Sequence, residues 1–319
     1  MLSEFDLIAK YFTRPTPNVT LGVGDDCALM TPAPGMHIAI SCDMLVSGTH
    51  FFADADPRML GHKSLAVNLS DLAAMGAKPF ACTMALALPA PDETWLKAFS
   101  EGFFALADQH GCELIGGDTT RGSLNICVTV FGEVPIGQAL RRDAAQVGDD
   151  IWVSGTLGDA RLGLAAYLKE MSLDEATHLN AANRLHLPTP RVALGMALRG
   201  IARAAIDISD GLIGDLGHIL KRSAKGARLD VDALPAGAML AAQSQDLRRR
   251  FALAGGDDYE LCFTAPPEKR SEVENAGKRS NVPVTRVGAI EAVAGVRLVD
   301  AHGEPVGIDA ISFDHFNKK

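Results

Sequence analysis

The 319-residue sequence has no surplus of basic charge: 30 Lys and Arg stand against 39 Asp and Glu, a net charge of −9. A nucleic-acid binder needs a basic surface to displace counterions from phosphates, so that class is disfavoured. Long apolar runs are also missing. The longest, from Phe80 to Leu88, stops at Pro89, well short of the roughly 20 residues a membrane span needs. Glu4 and Asp6 stand where a secretory signal would carry basic charge, so a cytoplasmic location is expected. The six cysteines, at 27, 42, 82, 112, 127 and 262, form no CxxC pair, and buried, reduced thiols are expected rather than disulfides or zinc. No GxxxxGK[ST], GxSxG or HExxH occurs. Gly22-Val23-Gly24 opens like a dinucleotide fingerprint, but Cys27 replaces the third glycine.

What is present is globular text, 47% hydrophobic and 22% charged, long enough for two domains at roughly 150 residues each. Strand-like and helix-like segments alternate. A strand is expected at 37–43, then a helix over 57–78 opened by Pro57 and closed near Gly76, then a strand at 80–88. Asp92 offers an N-cap to a helix whose Leu96, Phe99, Phe103 and Leu106 recur every three to four residues, with Gly111 as its stop. The polar, turn-rich stretch 135–150 separates two patterned regions and predicts a domain boundary. Beyond it come a strand at DIWVSG, helices at 159–170, 189–199 and 210–224, and strands at 204–208, 227–231, 259–264 and 284–290. The reading is a two-domain α/β chain, with residues 1–137 and 148–319 as the domains.

The aspartates are the informative residues. Solvated surface acids usually sit in mixed-charge helical text. Here they lie among Gly, Ser, Thr and apolar residues: Asp25 and Asp26 in GVGDDCA, Asp43 in AISCDML, Asp118 in IGGDTTRG, Asp207 and Asp210 in AIDISDGL, Asp257 and Asp258 in AGGDDYEL. Each alone reads as a common Gly-Asp turn. Together they point to a shared site. In the 57–78 helix, Ser64, Asn68 and Asp71 fall on one face at spacings of four and three, a short-chain polar stripe suited to a partly buried, ligand-facing position. Two carboxylates about 4 Å apart repel by roughly 4 kcal/mol at an effective dielectric near 20, so converging acids need cations. An oxygen-only donor set selects a hard ion such as Mg²⁺, which keeps positions open for phosphate oxygens. An acidic chain can bind a polyphosphate in this way. His50, close after the Asp43 strand, can contact an anionic group, although a lone histidine is more often structural.

The motifs GVGDDCA, SCDMLVSGTHF, GHKSLAVNLSDLAAMGAKP, GGDTTRG, SGTLGD, HLPTPR, IDISDGL and GGDDYEL occur in an order that resembles the thiamine-monophosphate kinases, members of the aminoimidazole ribonucleotide synthetase-like superfamily. The resemblance runs from about residue 3 to Phe313. It implies an N-terminal mixed-sheet α/β domain that pairs with a second copy in a homodimer, and a C-terminal α/β domain that completes the nucleotide and thiamine phosphate sites. It implies ATP-dependent phosphorylation of thiamine phosphate to thiamine diphosphate, the last step of that cofactor's biosynthesis, with several Mg²⁺ ions. The monovalent-ion requirement stays open.

Carried over by motif, the metal ligands would be Asp26, Ser41, the main chain of Cys42, Asp43, Asp71, Asp118, Asp207 and Asp210, with Asp43, Asp71 and Asp207 closest to the chemistry. Gly117, Asp118, Arg142 and Ser209 would contact ATP, with Arg141 the alternative to Arg142. His50, Asp257 and Phe313 would hold thiamine phosphate. The chain departs from the family pattern at Cys42, often Thr, at Asp257, commonly Glu, and at Phe313, frequently Trp. Two rivals remain at this point. One is another ATP-using relative, such as an aminoimidazole ribonucleotide or selenophosphate synthetase; the other is a non-catalytic Mg–nucleotide sensor.

Overall fold

A computed structural model describes residues 3–308 and divides the chain into two compact units. The first takes the chain up to Leu72 together with Ala77–Gly137; the second takes Ala73–Gly76 and everything from Gln138. No helix of the described residues is long and apolar enough to cross a membrane.

The first unit opens with a short helix, α1 (Glu4–Leu7), capped by Ser3, and a π-helical turn over Ile8–Phe12. It continues through β1 (Met36–Val46), α2 (Pro57–Ala74), β2 (Lys78–Leu88), α3 (Glu93–His110), β3 (Glu113–Arg121) and β4 (Asn125–Pro135). The four strands form one mixed sheet in the order β1-β4-β2-β3, so β1 and β3 are its two edges. Only the β2–β3 pair is parallel. Burial alternates along β4, with Ile126, Val128 and Val130 buried and Cys127, Thr129 and Phe131 half-buried. This is the period of a sheet covered on one face.

The covering helix α2 is buried along nearly all of its length, which explains why its text is Ala- and Leu-rich and carries no charged stripe. Asp56 caps it by accepting the Met59 N–H at 2.9 Å. The helix ends four residues earlier than the sequence suggested. Gly76 adopts a left-handed φ of 65°, and the Ala77 N–H returns to the Leu72 carbonyl at 2.8 Å. That closure lets β2 begin at Lys78, two residues before its expected start. Helices α2 and α3 cross at two glycines: a Cβ on Gly61 would lie 2.1 Å from the Phe99 carbonyl oxygen, and one on Gly102 would lie 1.9 Å from that of Arg58. Asp92 and Gly111 cap α3 as its text predicts.

The second unit contains β5 (Asp150–Ser154), α4 (Asp159–Tyr167), α5 (Glu175–His186), α6 (Val192–Ala197), β6 (Ala204–Ile208), α7 (Leu212–Ser223), β7 (Gly226–Asp230), α8 (Ala238–Ala241), α9 (Gln245–Ala254), β8 (Glu260–Ala265), α10 (Arg270–Arg279), β9 (Val284–Glu291) and β10 (Gly295–Val299). Its sheet runs β10-β7-β9-β5-β8-β6, with β10 and β7 parallel and the other pairs antiparallel. Every residue of β5, β6 and β8 is buried, including the acids Asp150, Asp207 and Glu260, so their text is mostly apolar and does not alternate. The expected elements do not include α5, α8, α9, α10 or β10. Helix α10, for example, buries only Val273, Ala276 and Gly277 within RSEVENAGKR, too thin an apolar stripe to stand out.

Candidate active site

In the first unit the site residues are set by the pleat of β1 against one face of α2. Ser41 and Asp43 are two apart on β1 and therefore share a face. The Ser41 hydroxyl donates to Asp71 Oδ2 at 2.5 Å, and the Asp43 N–H donates to Asn68 Oδ1 at 2.9 Å. Asn68 and Asp71 are one helical turn apart, so the strand step and the helix turn match. Asn68 is fully buried and its Nδ2 donates to the Ser64 carbonyl, which fixes the amide. The polar stripe thus partly serves to lock β1 onto α2, with Ser64 itself bonded back to Gly61.

Gly117 and Asp118 lie on β3, the opposite edge of the sheet from β1. Three strand spacings separate those edges, about 14 Å. Within one chain, β1 and β3 therefore do not bring Asp43 and Asp118 together. Gly117 is required where it stands: its φ is 146°, and a Cβ there would lie 1.9 Å from the Met84 carbonyl oxygen. Asp26 is exposed in the loop before β1, where its N–H donates to the Asp25 carboxylate at 2.9 Å. His50 accepts the Val46 N–H on Nδ1 at 3.0 Å, which fixes its neutral tautomer with the hydrogen on Nε2.

The thiol expectation needs correcting. All six cysteines are free, but only Cys82, Cys112 and Cys262 are buried; Cys27 and Cys42 are exposed and Cys127 is intermediate. Cys42 lies on the side of β1 away from α2, where solvent meets the uncovered sheet face. Its Sγ is 3.3 Å from that of Cys127, and burial together with this neighbour pushes the Cys127 thiol up to about 11.

In the second unit, IDISDGL and GGDDYEL meet. Asp207 ends its side of β6 opposite Leu261 of β8, almost fully buried. Past the strand, the Asp257 N–H donates to the Ser209 carbonyl and the Tyr259 N–H to the Ile208 carbonyl, both at 2.8 Å. Asp257 and Tyr259 adopt left-handed φ values of 67° and 51° to make this turn. Asp210 follows Ser209 in the loop before α7, and both are half-buried. Arg141 is held by both oxygens of Asp143, whereas Arg142 has no ion pair among the described residues; the Ser223 hydroxyl donates to the Arg142 carbonyl at 2.9 Å. Phe313 lies outside the described residues.

Three buried acids organise this unit: Glu260 and Asp215, which the sequence did not single out, and Asp258, one of the motif aspartates. Glu260, fully buried, receives Arg191 in a two-pronged pair, Arg184 at 3.2 Å and the Ser154 hydroxyl at 2.6 Å. Three of the quoted motifs, SGTLGD, HLPTPR and GGDDYEL, are therefore tied together by one carboxylate. Asp258 receives the Gly158 N–H on both oxygens, and burial raises its carboxyl well above the usual range. Asp215, in the first turn of α7, has its carboxyl pushed up to about 7 by burial, with the Asp210 carboxylate adding to the rise. The signal available for Asp215 was an acid four residues after Gly211 in a helix-opening turn.

Among the described residues no group of three or more His, Cys, Asp or Glu side chains is gathered closely enough to hold a metal within the single chain. The donors that β1 and α2 do bring together, Ser41, Asp43 and Asp71, are all oxygen and suit Mg²⁺ with water or phosphate completing its shell.

The comparisons with known proteins follow this architecture. Residues 24–134 match the AIR synthase related protein N-terminal domain, and residues 146–301 match its C-terminal domain. The chain belongs to the AIR synthase related family. It is 49% identical over 319 residues to the thiamine-monophosphate kinase of Salmonella typhimurium, covering 98% of each chain. The crystal structure of thiamine-monophosphate kinase from Stenotrophomonas maltophilia superposes with a TM-score of 0.84 at 49% identity, over 91% of this chain and 93% of that one. AaThiL complexed with AMPPCP and TMP superposes with a TM-score of 0.78 at 29% identity, over 90% and 89%. Within its family, then, the chain is an enzyme of the thiamine-monophosphate kinase group.

Proposed function

We propose that this protein uses ATP and Mg²⁺ to phosphorylate thiamine phosphate, giving thiamine diphosphate and ADP as the last step of that cofactor's biosynthesis. The observation that carries the reading is the relative of the same fold, matched over 90% of this chain, that holds AMPPCP, an ATP analogue, together with TMP. A phosphate oxygen of thiamine phosphate attacks the γ-phosphorus in line as the bond to the β–γ bridging oxygen breaks, and ADP carries the electrons away. The acceptor is already anionic, so no strong base is needed. Bound Mg²⁺ supplies neutralisation of the facing phosphate charges.

The chain's own residues then have distinct tasks. Asp26, Asp43, Asp71 and Asp118, with Ser41 and the Cys42 main chain, are the metal ligands from the first unit; Asp207 and Asp210 are those from the second. Ser41 and Asn68 keep Asp71 and the Asp43 backbone in fixed positions. Gly117 and Ser209 contact the nucleotide. Arg142 joins them in preference to Arg141, because Asp143 already occupies the Arg141 guanidinium. His50, Asp257 and Phe313 hold thiamine phosphate.

The working form is a homodimer. The uncovered face of the first unit's sheet leaves Ile40 63% and Met44 52% exposed, an apolar patch that a second copy's sheet would cover. A second copy also supplies what one sheet cannot, an Asp118 edge beside the Asp43 edge. Six free cysteines accord with work in the reducing cytoplasm.

The test is purified protein with ATP, Mg²⁺ and thiamine phosphate, with free thiamine as control. Thiamine diphosphate and ADP in equal amounts are expected. No product, or phosphorylation of free thiamine instead, would overturn the assignment. Asp43→Asn and Asp71→Asn should each cut turnover sharply while leaving the fold intact.

A further inference from the structure

The loop between β6 and α7 carries Ser209 and Asp210, and its backbone is held in an unusual way. Three consecutive N–H groups, those of Ser209, Asp210 and Gly211, all donate to a single oxygen, Oδ2 of Asp215, each at 3.1 Å. Asp215 is only 4% exposed, and its own N–H is bonded to the Gly211 carbonyl at 3.0 Å, so its backbone is fixed in the first turn of α7 and its side chain is packed away from solvent. From the other side, the Asp257 N–H grips the Ser209 carbonyl and the Tyr259 N–H grips that of Ile208. The segment is clamped through its donors by one residue and through its acceptors by the GGDDYEL turn.

Converging N–H groups at a helix N-terminus normally make a concavity for an external anion. Here the concavity is filled from within. A phosphate cannot use these three donors while Asp215 occupies them, so the loop must recognise a nucleotide through its side chains rather than through its backbone. A carboxylate buried beside a second acid, Asp210, is an expensive way to close a helix. A carboxyl oxygen reaching in from the first turn of the helix can take all three donors at one point, which a hydroxyl at the loop itself could not.

We propose that Asp215 is a positioning residue of the nucleotide site: it touches no substrate, and it sets the 209–211 backbone so that Ser209 and Asp210 are presented in one arrangement to the magnesium nucleotide. The proposal rests on the functional reading above, in which Ser209 and Asp210 serve that ligand. It differs from a purely structural role in being specific. Loosening this loop disturbs ATP directly and thiamine phosphate less, since that substrate feels it only through the Asp257 N–H on the Ser209 carbonyl.

The experiment uses the full-length protein as wild type, Asp215→Asn and Asp215→Ala. Binding of AMPPCP with Mg²⁺ is measured by calorimetry, KM for each substrate by steady-state assay, and amide exchange by mass spectrometry. For Asp215→Asn, isosteric and still able to accept on one oxygen, Kd for Mg·AMPPCP and KM for ATP should rise tenfold or more. KM for thiamine phosphate should rise by a clearly smaller factor, under threefold, and faster exchange should be confined to residues around 208–211 and the 257–259 turn bonded to them. Asp215→Ala should shift the same quantities further; if it does not fold, the isosteric variant alone decides. Unchanged nucleotide binding in Asp215→Asn would overturn the proposal. So would an equal loss for both substrates with faster exchange throughout the second unit, the mark of a merely structural acid. Wild-type protein that binds Mg·AMPPCP but makes no thiamine diphosphate would instead defeat the functional reading, and the calorimetric comparison would still judge Asp215.

Discussion

Removing the Glu260 side chain tests how the second unit is held together. Glu260 is fully buried and its two oxygens take Arg191 as a fork, Arg184 at 3.2 Å and the Ser154 hydroxyl at 2.6 Å; Ser154 in turn accepts the Leu261 N–H at 2.8 Å. In Glu260→Ala two guanidinium groups lose their counter-charge at once. Breaking a buried pair by deleting one partner costs about 3–5 kcal/mol. The side chains of Arg184 and Arg191 remain 25% and 15% exposed and can draw on water, so the low end, about 3 kcal/mol, is the better figure. A domain of this size loses about 2–4 °C in melting temperature per kcal/mol, giving a drop of about 6–12 °C. Thermal unfolding followed by circular dichroism or calorimetry reads it directly. Glu260→Gln, which keeps the shape and some of the hydrogen bonds, should fall by less than half as much. A double-mutant cycle with Arg191→Met should recover part of the loss, because the two residues are directly coupled. A shift of under 2 °C in a folded Glu260→Ala protein would refute the claim that this carboxylate is the tie between the three motifs.

Asn68→Ala should leave the Asp43 N–H without its acceptor and cut kcat about tenfold, the equivalent of one lost hydrogen bond of about 1.4 kcal/mol, with the far-ultraviolet spectrum unchanged. Asp232 sits under the Arg249 guanidinium, which with smaller help from the Ala301 N–H and Gln245 lowers its carboxyl to about 2. A folded-state value below the unfolded 3.8 stabilises at pH above 4 and is lost as pH falls from 4 toward 2. Because the pair is at the surface, the amount is below about 1 kcal/mol. Asp232→Asn should therefore lower stability slightly at pH 7 and not at all near pH 2, as denaturant titrations at the two pH values will show. Cys42 and Cys27 are both exposed in the single chain. If the open sheet face pairs two copies, a maleimide should label Cys27 quickly and Cys42 slowly in the native protein, and both quickly in denaturant; equal native rates would place the dimer contact elsewhere.

The motif aspartates stood out in the sequence because short acids among glycines and apolar residues are costly anywhere but at a turn or a ligand. The amphipathic α3 was legible from cap to cap, since Asp92, Gly111 and the three-to-four spacing are local signals. The position of β1 beside α2 was only half legible. The spacing of Ser64, Asn68 and Asp71 showed a polar face, but the pairing of that face with Ser41 and the Asp43 backbone depends on which strand lies over the helix. Strand order is a long-range fact. It is what puts Asp43 and Asp118 on opposite edges of one sheet, although both sit in equally promising text. The same holds for Arg191, Ser154 and Glu260, three residues from three separate motifs that no local signal links and that prove to be bound to one another in the core.

Asp215 marks the limit most clearly. In the sequence it is one acid in a helix of mixed charge, and its place four residues after Gly211 is the one weak local sign that sets it apart from a solvated one. Folding removes it from water and turns the Ser209, Asp210 and Gly211 amides onto one of its oxygens. By itself the sequence determined the chemistry on offer: oxygen donors for a hard cation, a family of phosphoryl-transfer enzymes, and two α/β units. Only the tertiary structure decided which acids are taken up in holding the frame, because burial and hydrogen-bond partners are set by segments far apart along the chain.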